Sequence, residues 1–225
     1  MIGIVVALYS EAQALLEKIK NTTEFKLADK RAFSFEFNDK KVVLAISGIG
    51  KVSAALTTQL LIDKYSPDFI LNFGTCGGTN SSVEVLNYYA INKCCQYDFD
   101  LRELDGVPLG YIQEYKSQYF YPTTCGIDYL KTTSLASADK FTNHDQDVNT
   151  INDEVKCSVC DMEGGAIAQV CTSNDIPLYM IKGITDVHGS GTQQEQFYKN
   201  LKTVGAGFPD VIINALNEII KYKNL

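Results

Sequence analysis

Two histidines, His144 and His188, and two arginines, Arg31 and Arg102, are all that the 225 residues contain of either type. The scarcity of histidine bears on the Cys157-x-x-Cys160 spacing. A tetrahedral zinc site would need a second ligand pair, and His144 and His188 are the only histidines to supply one, so no metal is expected. A redox role would want the motif to open a helix after a strand. Both thiols, like the Cys94-Cys95 pair, are expected to be inert. The seven cysteines are odd in number and scattered over strands and helices, which suits a reducing cytosol and not a disulfide framework. No apolar run approaches the length that spans a bilayer. With a formal net charge of −7, the chain lacks the basic clusters of a partner for nucleic acid or a membrane surface. The opening MIGIVVALYSEA is apolar but has no basic leader and runs into a helix cap, so it does not read as a signal peptide. Repeats, low-complexity tracts and interdomain linkers are missing as well. A single cytoplasmic domain over residues 1–225 is expected, since 45% hydrophobic and 21% charged residues are enough for a sizeable core.

What is present is a repeated grammar of strand, turn and helix. Ile2-Gly3-Ile4-Val5-Val6-Ala7-Leu8 is an apolar run with β-branched residues, so a buried strand. Ser10, with Gln13 three residues on, reads as the N-cap of a helix whose apolar face is Ala12, Leu15, Leu16 and Ile19. Glu11 falls in its first turn, where the helix dipole favours a negative charge. Residues 33–37 alternate, Asn38-Asp39 turns, and residues 41–46 return as the second strand of a hairpin. Ser47-Gly48-Ile49-Gly50-Lys51 then leads into a helix over residues 53–65. After Pro67, a strand at 69–73 empties into a second glycine-rich turn, Gly74-Thr75-Cys76-Gly77-Gly78. Residues 85–92 read as a strand. Residues 98–121 read as a loop long enough to cover a site. Residues 131–138 read as a strand leading to Asp139-Lys140-Phe141-Thr142, and 143–153 as a polar turn or short helix. Gly189 to Thr192 reads as a flexible loop, and Pro209 as the start of a helix with Val211, Ile212, Leu216, Ile219 and Ile220 on one face. This alternation argues for an α/β fold with a central, mostly parallel sheet.

Residues 157–188 hold two carboxylates in small or apolar surroundings. Glu163 lies in Asp161-Met162-Glu163-Gly164-Gly165-Ala166, at the start of a helical segment. Asp186 closes the strand-like run that Pro177 opens. A carboxylate at the end of a buried strand is costly unless it is paired or used, and strand ends are where open α/β sheets bind ligands. Structural charges also gather at such ends, so alone these two acids leave both readings open.

Four segments settle more together than apart: Ser47-Gly48-Ile49-Gly50-Lys51-Val52-Ser53-Ala54-Ala55, Asn72-Phe73-Gly74-Thr75-Cys76-Gly77-Gly78, Asp161-Met162-Glu163-Gly164-Gly165-Ala166-Ile167-Ala168 and Ile184-Thr185-Asp186. In this order they resemble the purine nucleoside phosphorylase and uridine phosphorylase superfamily. Ala7-Leu8-Tyr9-Ser10-Glu11 and the length are most similar to its 5′-methylthioadenosine/S-adenosylhomocysteine nucleosidases. The resemblance implies a single-domain, three-layer α/β/α fold with a central mixed, mostly parallel twisted sheet. It also implies cleavage of the N-glycosidic bond of a purine nucleoside by water, without a cofactor. By the same resemblance Glu11 activates the water and Asp186 gives a hydrogen bond or proton to purine N7. Glu163 holds the ribose hydroxyls and Met162 packs beside the sugar. Phe141 stacks on the purine and Thr142 meets the base edge. Thr75 is a small hydroxyl residue beside Cys76 and Gly77, and Thr185 precedes the acid. Leu8 and Ile49 complete the substrate-binding set. A homodimer is implied, with residues 98–113 helping to build the 5′ pocket of a neighbouring subunit. In that loop Arg102, Leu104, Asp105 and Gly106 stand where such nucleosidases often place apolar or aromatic side chains, so a different 5′ substituent is an open alternative.

The chemistry fits these residue types. Cleavage builds positive charge on the ribose and negative charge on the base, so carboxylates near the sugar and a proton donor near N7 both help. A phosphorylase is the alternative within enzymes. Its phosphate dianion would want arginine forks, yet neither Arg31 nor Arg102 lies in a glycine-rich turn, and Asn72 stands where phosphorylases of the superfamily commonly place an arginine. Glu11 would repel phosphate and suits water. The Gly48–Lys51 turn could still hold an anion through backbone N–H groups. A non-catalytic nucleoside-binding protein is the third reading, but it has no need of Glu11, Glu163 and Asp186 together.

Overall fold

The computed structural model describes residues 1–189 and 191–225. β1 (Ile2–Val6) is buried at every position because both of its faces are covered. Ile2, Ile4 and Val6 join an apolar cluster with α1 (Tyr9–Lys18) and α6 (Gln193–Lys223). Val5, pointing the other way, joins a second cluster with α2 (Lys51–Tyr65) and α5 (Gly164–Ser173). β1 lies between β4 (Lys40–Ile46) and β5 (Phe69–Gly78) and is parallel to both. β3 (Lys30–Phe37) returns antiparallel from β4 through Asn38 and Asp39, whose φ angles of 48° and 60° are those of a tight hairpin turn.

Beyond β5 the sheet curls back on itself. β5 pairs antiparallel with β8 (Val159–Asp161) and parallel with β9 (Leu178–Val187). β8 pairs with β7 (Thr132–Ser137) and β7 with β6 (Tyr88–Gln96), both parallel, and β6 with β9, antiparallel. The pairings therefore form a ring, β5-β8-β7-β6-β9-β5, with β1 to β4 as its extension. The sheet is mixed, and the C-terminal ends of β5 and β9 lie side by side, with Gly77 opposite Asp186.

Several elements differ from the sequence expectation. The glycines 74–78 are not a turn: β5 runs through them, because pairing with β9 on one side and β8 on the other outweighs glycine's poor strand propensity. β2 (Thr23–Leu27) is an unanticipated strand, antiparallel to β3. β6 starts at Tyr88, three residues later than the strand read at 85–92. α1 starts at Tyr9 with Leu8 as N-cap, so Ser10 is not the cap. The last helix does not begin at Pro209 but at Gln193, with Pro209 buried inside it. A proline there gives up one amide N–H and crowds the turn before it. The Tyr88 hydroxyl donates to the Val204 carbonyl in that turn, at 2.6 Å. The 98–121 segment carries a short α-helix, α3 (Arg102–Asp105), and a 3-10 turn at Gln113–Tyr115, and is pinned to β6 by a bridge between Cys94 and Phe120. Residues 143–153 hold α4 (Asp145–Asn149) and a following wide turn. Of the loop expected from Gly189 to Thr192, Ser190 lies outside the described residues.

Candidate active site

Glu11 reaches the sheet from the first turn of α1. Its Oε1 accepts the Thr75 N–H at 2.6 Å and the Thr75 hydroxyl at 2.8 Å, and its Oε2 accepts the Leu8 N–H at 3.1 Å. The carboxylate is 3% exposed. It can lie flat on β5 because residue 74 is glycine: a Cβ there would sit 3.0 Å from Oε1. Burial pushes the Glu11 pKa up, while the Thr75 and Leu8 donors and the charge of Lys182 work the other way.

Asp186 lies near the end of β9, opposite a bulge between Cys76 and Gly77. A Cβ on Gly77 would come within 2.9 Å of Asp186 Oδ2, so the second strand glycine also makes room for an acid. Asp186 Oδ1 accepts the Thr185 hydroxyl at 2.6 Å, and Oδ2 accepts a Gln193 amide N–H at 3.2 Å. Burial raises its pKa, and these two donors moderate the rise.

Glu163 is the N-cap residue of α5. Its Oε1 accepts the Gly50 N–H at 2.8 Å, which ties the turn before α2 to the turn before α5. Beneath it lies a buried ion pair that the sequence reading missed: Lys182 Nζ is 2.9 Å from Asp161 Oδ2. Asp161 also accepts the Glu163 and Gly164 N–H groups and the Ser137 hydroxyl. Burial works against the Lys182 charge, but Asp161 more than offsets it and the lysine pKa is raised. A lysine inside the run 178–185 was the available signal, since a buried lysine almost always has a partner.

Burial and the Asp161 charge together push Glu163 up to about 7. This has a consequence for stability. Between the unfolded value of 4.5 and about 7, the native state binds more protons than the unfolded chain, so Glu163 costs stability as pH rises. Glu163→Gln keeps an acceptor for Gly50 and removes that cost. In the absence of ligand its Tm is expected to exceed that of the unsubstituted protein at pH 8 and to match it at pH 4, as read by calorimetry. A Tm lower at both pH values would contradict this account.

One cavity of about 260 Å³ collects these groups. Leu8, Glu11, Ile49, Thr75, Cys76, Gly77, Phe141, Thr142, Met162, Glu163, Thr185 and Asp186 all line it, so none of the candidate residues lies elsewhere. Lys140, Asp161, Cys160 and Phe197 line it too and were not anticipated there. Phe197 stands edge-on to Phe141, with ring centres 6.0 Å apart. It escaped notice because its helix was expected to begin further on. Cys160 remains a thiol, its pKa pushed to about 12 by burial. The Thr142 hydroxyl is 2.6 Å from that of Tyr97, which fixes the chain beside Phe141. The arginines are elsewhere: Arg31 pairs with Glu24 and stacks on Tyr9, and Arg102 pairs with Asp100 and Glu154.

An apolar cavity with carboxylates at three separate points has the build of a small-molecule site. A family profile described as the phosphorylase superfamily matches residues 1–217. The 5′-methylthioadenosine/S-adenosylhomocysteine nucleosidase of Buchnera aphidicola subsp. Acyrthosiphon pisum (strain Tuc7) is 32% identical over 196 residues, covering 82% of this chain and 84% of its own. That of Anoxybacillus flavithermus is 28% identical over 231 residues, covering 96% and 99%. Among solved structures, a Helicobacter pylori MTAN mutant with 5′-methylthioadenosine in the active site superposes with a TM-score of 0.90 at 23% identity, covering 96% of this chain and 98% of that one. The native futalosine hydrolase of Helicobacter pylori superposes with a TM-score of 0.88 at 23% identity, covering 96% and 97%. At such identities the structures speak for the fold. The chain belongs to the phosphorylase superfamily. Within it the chain is a nucleosidase, an enzyme that hydrolyses a glycosidic bond.

Proposed function

We propose that this nucleosidase acts on a purine nucleoside of the 5′-thioadenosine class, 5′-methylthioadenosine or S-adenosylhomocysteine, and releases adenine. The observation that carries the reading is the placement of Glu11, Glu163 and Asp186 on one cavity, each held by its own set of donors. Glu11, oriented by Thr75 and Leu8, takes a proton from the attacking water. Glu163 accepts from the ribose hydroxyls, and with Glu11 it favours the cationic sugar of the transition state. Asp186, its pKa raised by burial, gives a proton or strong hydrogen bond to N7 as the base leaves. Phe141 and Phe197 supply an aromatic wall for the purine, and Met162 an apolar one for the sugar. Glu163→Gln should therefore weaken binding of ribosides more than of nucleosides lacking a ribose hydroxyl, measured by calorimetry.

Water, and not phosphate, is the nucleophile in this reading. The turn before α2 could have offered N–H groups to an anion, but three of its donors are engaged. Gly48 N–H goes to the Ala7 carbonyl at 3.0 Å, Gly50 N–H to Glu163 at 2.8 Å and Lys51 N–H to Asp139 Oδ1 at 2.7 Å. The protein's own carboxylates hold the anion position. Asn72 donates to the Val5 carbonyl at 2.9 Å and does not line the cavity. The rate of adenine release should not change when phosphate is added, and the product should be a free sugar. Accumulation of a ribose 1-phosphate in proportion to phosphate supplied would overturn this.

The same proposal takes residues 1–225 as one three-layer domain working in the cytoplasm as a homodimer. Ile49 in the turn before α2, Val52 and Leu56 on α2, and Leu104 in α3 are exposed, an apolar surface that a second subunit would cover. No residue of 98–113 lines the cavity of its own subunit, so the 5′ end is left to what a neighbour brings. That keeps a differently substituted nucleoside as the second reading. A panel of 5′-substituted nucleosides, assayed for free base, decides between them.

A further inference from the structure

Two successive N–H groups in the turn before α2 point at two different carboxylates. Gly50 N–H donates to Glu163 Oε1 at 2.8 Å, and Lys51 N–H donates to Asp139 Oδ1 at 2.7 Å. Gly50 is the N-cap residue of α2, with a φ of 97° that suits glycine. A Cβ there would also sit 3.1 Å from Asp139 Oδ1, so the close approach of Asp139 depends on the missing side chain. Glu163 binds the ribose in the reaction proposed above. Asp139 does not line the cavity.

Asp139 is held from a second side. Its own N–H donates to Asp98 Oδ2 at 3.0 Å, and Asp98 Oδ1 accepts from the Lys51 ammonium at 2.5 Å. Lys51, Asp98 and Asp139 close a circuit that joins the start of α2 to the segments following β6 and β7. The Lys51 and Asp98 side chains are only 17% and 25% exposed, so their attraction is screened less than that of an open surface pair. Three residues on from Asp139, the Thr142 hydroxyl lies 2.6 Å from that of Tyr97. Residues 139–142 are therefore tied down at both ends, and Phe141 stands between the ties. Phe141 is 45% exposed, so burial alone does not fix its ring.

We infer that Asp139 is a positioning residue: through the Gly50-Lys51 turn it keeps the aromatic wall for the base in register with the carboxylate for the ribose. The inference rests on the roles given above to Phe141 and Glu163. The two N–H groups lie on either side of the Gly50 Cα, the most freely rotating point of the turn, and one carboxylate fixes each. Removing the Asp139 side chain releases one of them. Gly50 then gains access to other φ and ψ values, its hold on Glu163 loosens, and Phe141 loses one of its two ties. A base and a sugar joined by one bond leave little tolerance for a wall and a carboxylate that drift apart. Base and ribose recognition should fail together, although Asp139 touches neither.

Two quantities test this. The inhibition constant of free adenine reads the base wall. The ratio of kcat/KM for 5′-methylthioadenosine to that for its 3′-deoxy analogue reads the grip on the ribose hydroxyls. Asp139→Ala should weaken adenine binding and lower the ratio, each by about fivefold, the order of a lost helix-cap hydrogen bond. Asp139→Asn keeps an oxygen for the Lys51 N–H and should bring both back to within about twofold of the unsubstituted enzyme, since the two residues cap helices equally well. Asp139 is exposed, so both variants should fold, with calorimetric Tm as the control. Weaker adenine binding with an unchanged ratio would make Asp139 a prop for Phe141 alone and overturn the inference. So would an alanine variant unaltered in both quantities, or an asparagine variant as impaired as the alanine one. Glu163→Gln separates the two levels. An unchanged ratio in that variant would bring down the ribose assignment itself, whereas a lowered ratio there beside an unaltered Asp139→Ala would bring down the positioning role alone.

Discussion

Asp186→Asn is expected to lower kcat by a factor on the order of 10² or more, the usual cost of losing a positioned acid, with the fold intact. Asparagine matches aspartate in shape, and its oxygen can still accept the Thr185 hydroxyl that now meets Oδ1 at 2.6 Å. Its amide end would face Gln193, which can turn over to accept from it, so the packing around residue 186 has a route to satisfaction. What asparagine cannot do is deliver a proton to N7. The purine would have to leave as an anion, stabilised by one neutral hydrogen bond. Burial is what equips Asp186 for the task, because it moves the pKa upward toward the range in which enzymes work. Adenine release followed by absorbance, with calorimetric Tm as the control for folding, gives the answer. Near-normal turnover of an adenine nucleoside by this variant would remove Asp186 from the mechanism.

The parts of the site that were legible in the sequence share one property: they sit in short motifs whose residues are neighbours along the chain. Met162-Glu163 at the head of α5 and Thr185-Asp186 at the end of β9 needed only a strand and a helix to be placed. The glycines of β5 were visible but misread, since a local rule makes them a turn and only the long-range pairing with β8 and β9 makes them a strand. Their use is equally non-local. Gly74 and Gly77 leave room for carboxylates that arrive from α1 and β9. β8 is three residues long and has no period to detect, whereas β2 does alternate, Phe25 and Leu27 being separated by Lys26 and preceded by Glu24, so its strand was legible in the sequence. The first half of α6 was hidden by Gly205, Gly207 and Pro209, which break a helix by propensity but are held here by packing against β9 and against Tyr88 of β6. With that half went Gln193 and Phe197. The circuit of Lys51, Asp98 and Asp139 joins three segments and leaves no trace in any one of them.

Glu11→Gln is expected to reduce hydrolysis by about 10³-fold or more, at the upper range for loss of a general base, while nucleoside binding stays measurable by calorimetry. The geometry makes this substitution harsher than the Asp186 one. Three donors converge on the Glu11 carboxylate: the Thr75 N–H and hydroxyl on Oε1, and the Leu8 N–H on Oε2. Both oxygens must therefore accept. A glutamine presents an oxygen to one side and an NH₂ to the other, so either Thr75 or Leu8 is left facing a donor. The most favourable choice keeps Thr75 satisfied and turns the NH₂ toward Leu8, which also loosens the start of α1. In that orientation no basic oxygen faces the cavity, and a water bound there cannot give up its proton as it attacks. The sugar and base contacts through Met162, Glu163 and Phe141 are untouched, so affinity should survive. The pH profile carries the sign. Burial raises the Glu11 pKa, and the base is needed ionised, so activity of the unsubstituted enzyme should fall as pH drops through that raised value. The residual activity of Glu11→Gln should lack this acid limb. An unchanged acid limb in the variant, or a loss of binding as large as the loss of turnover, would mean that Glu11 holds the nucleoside and that another group activates the water.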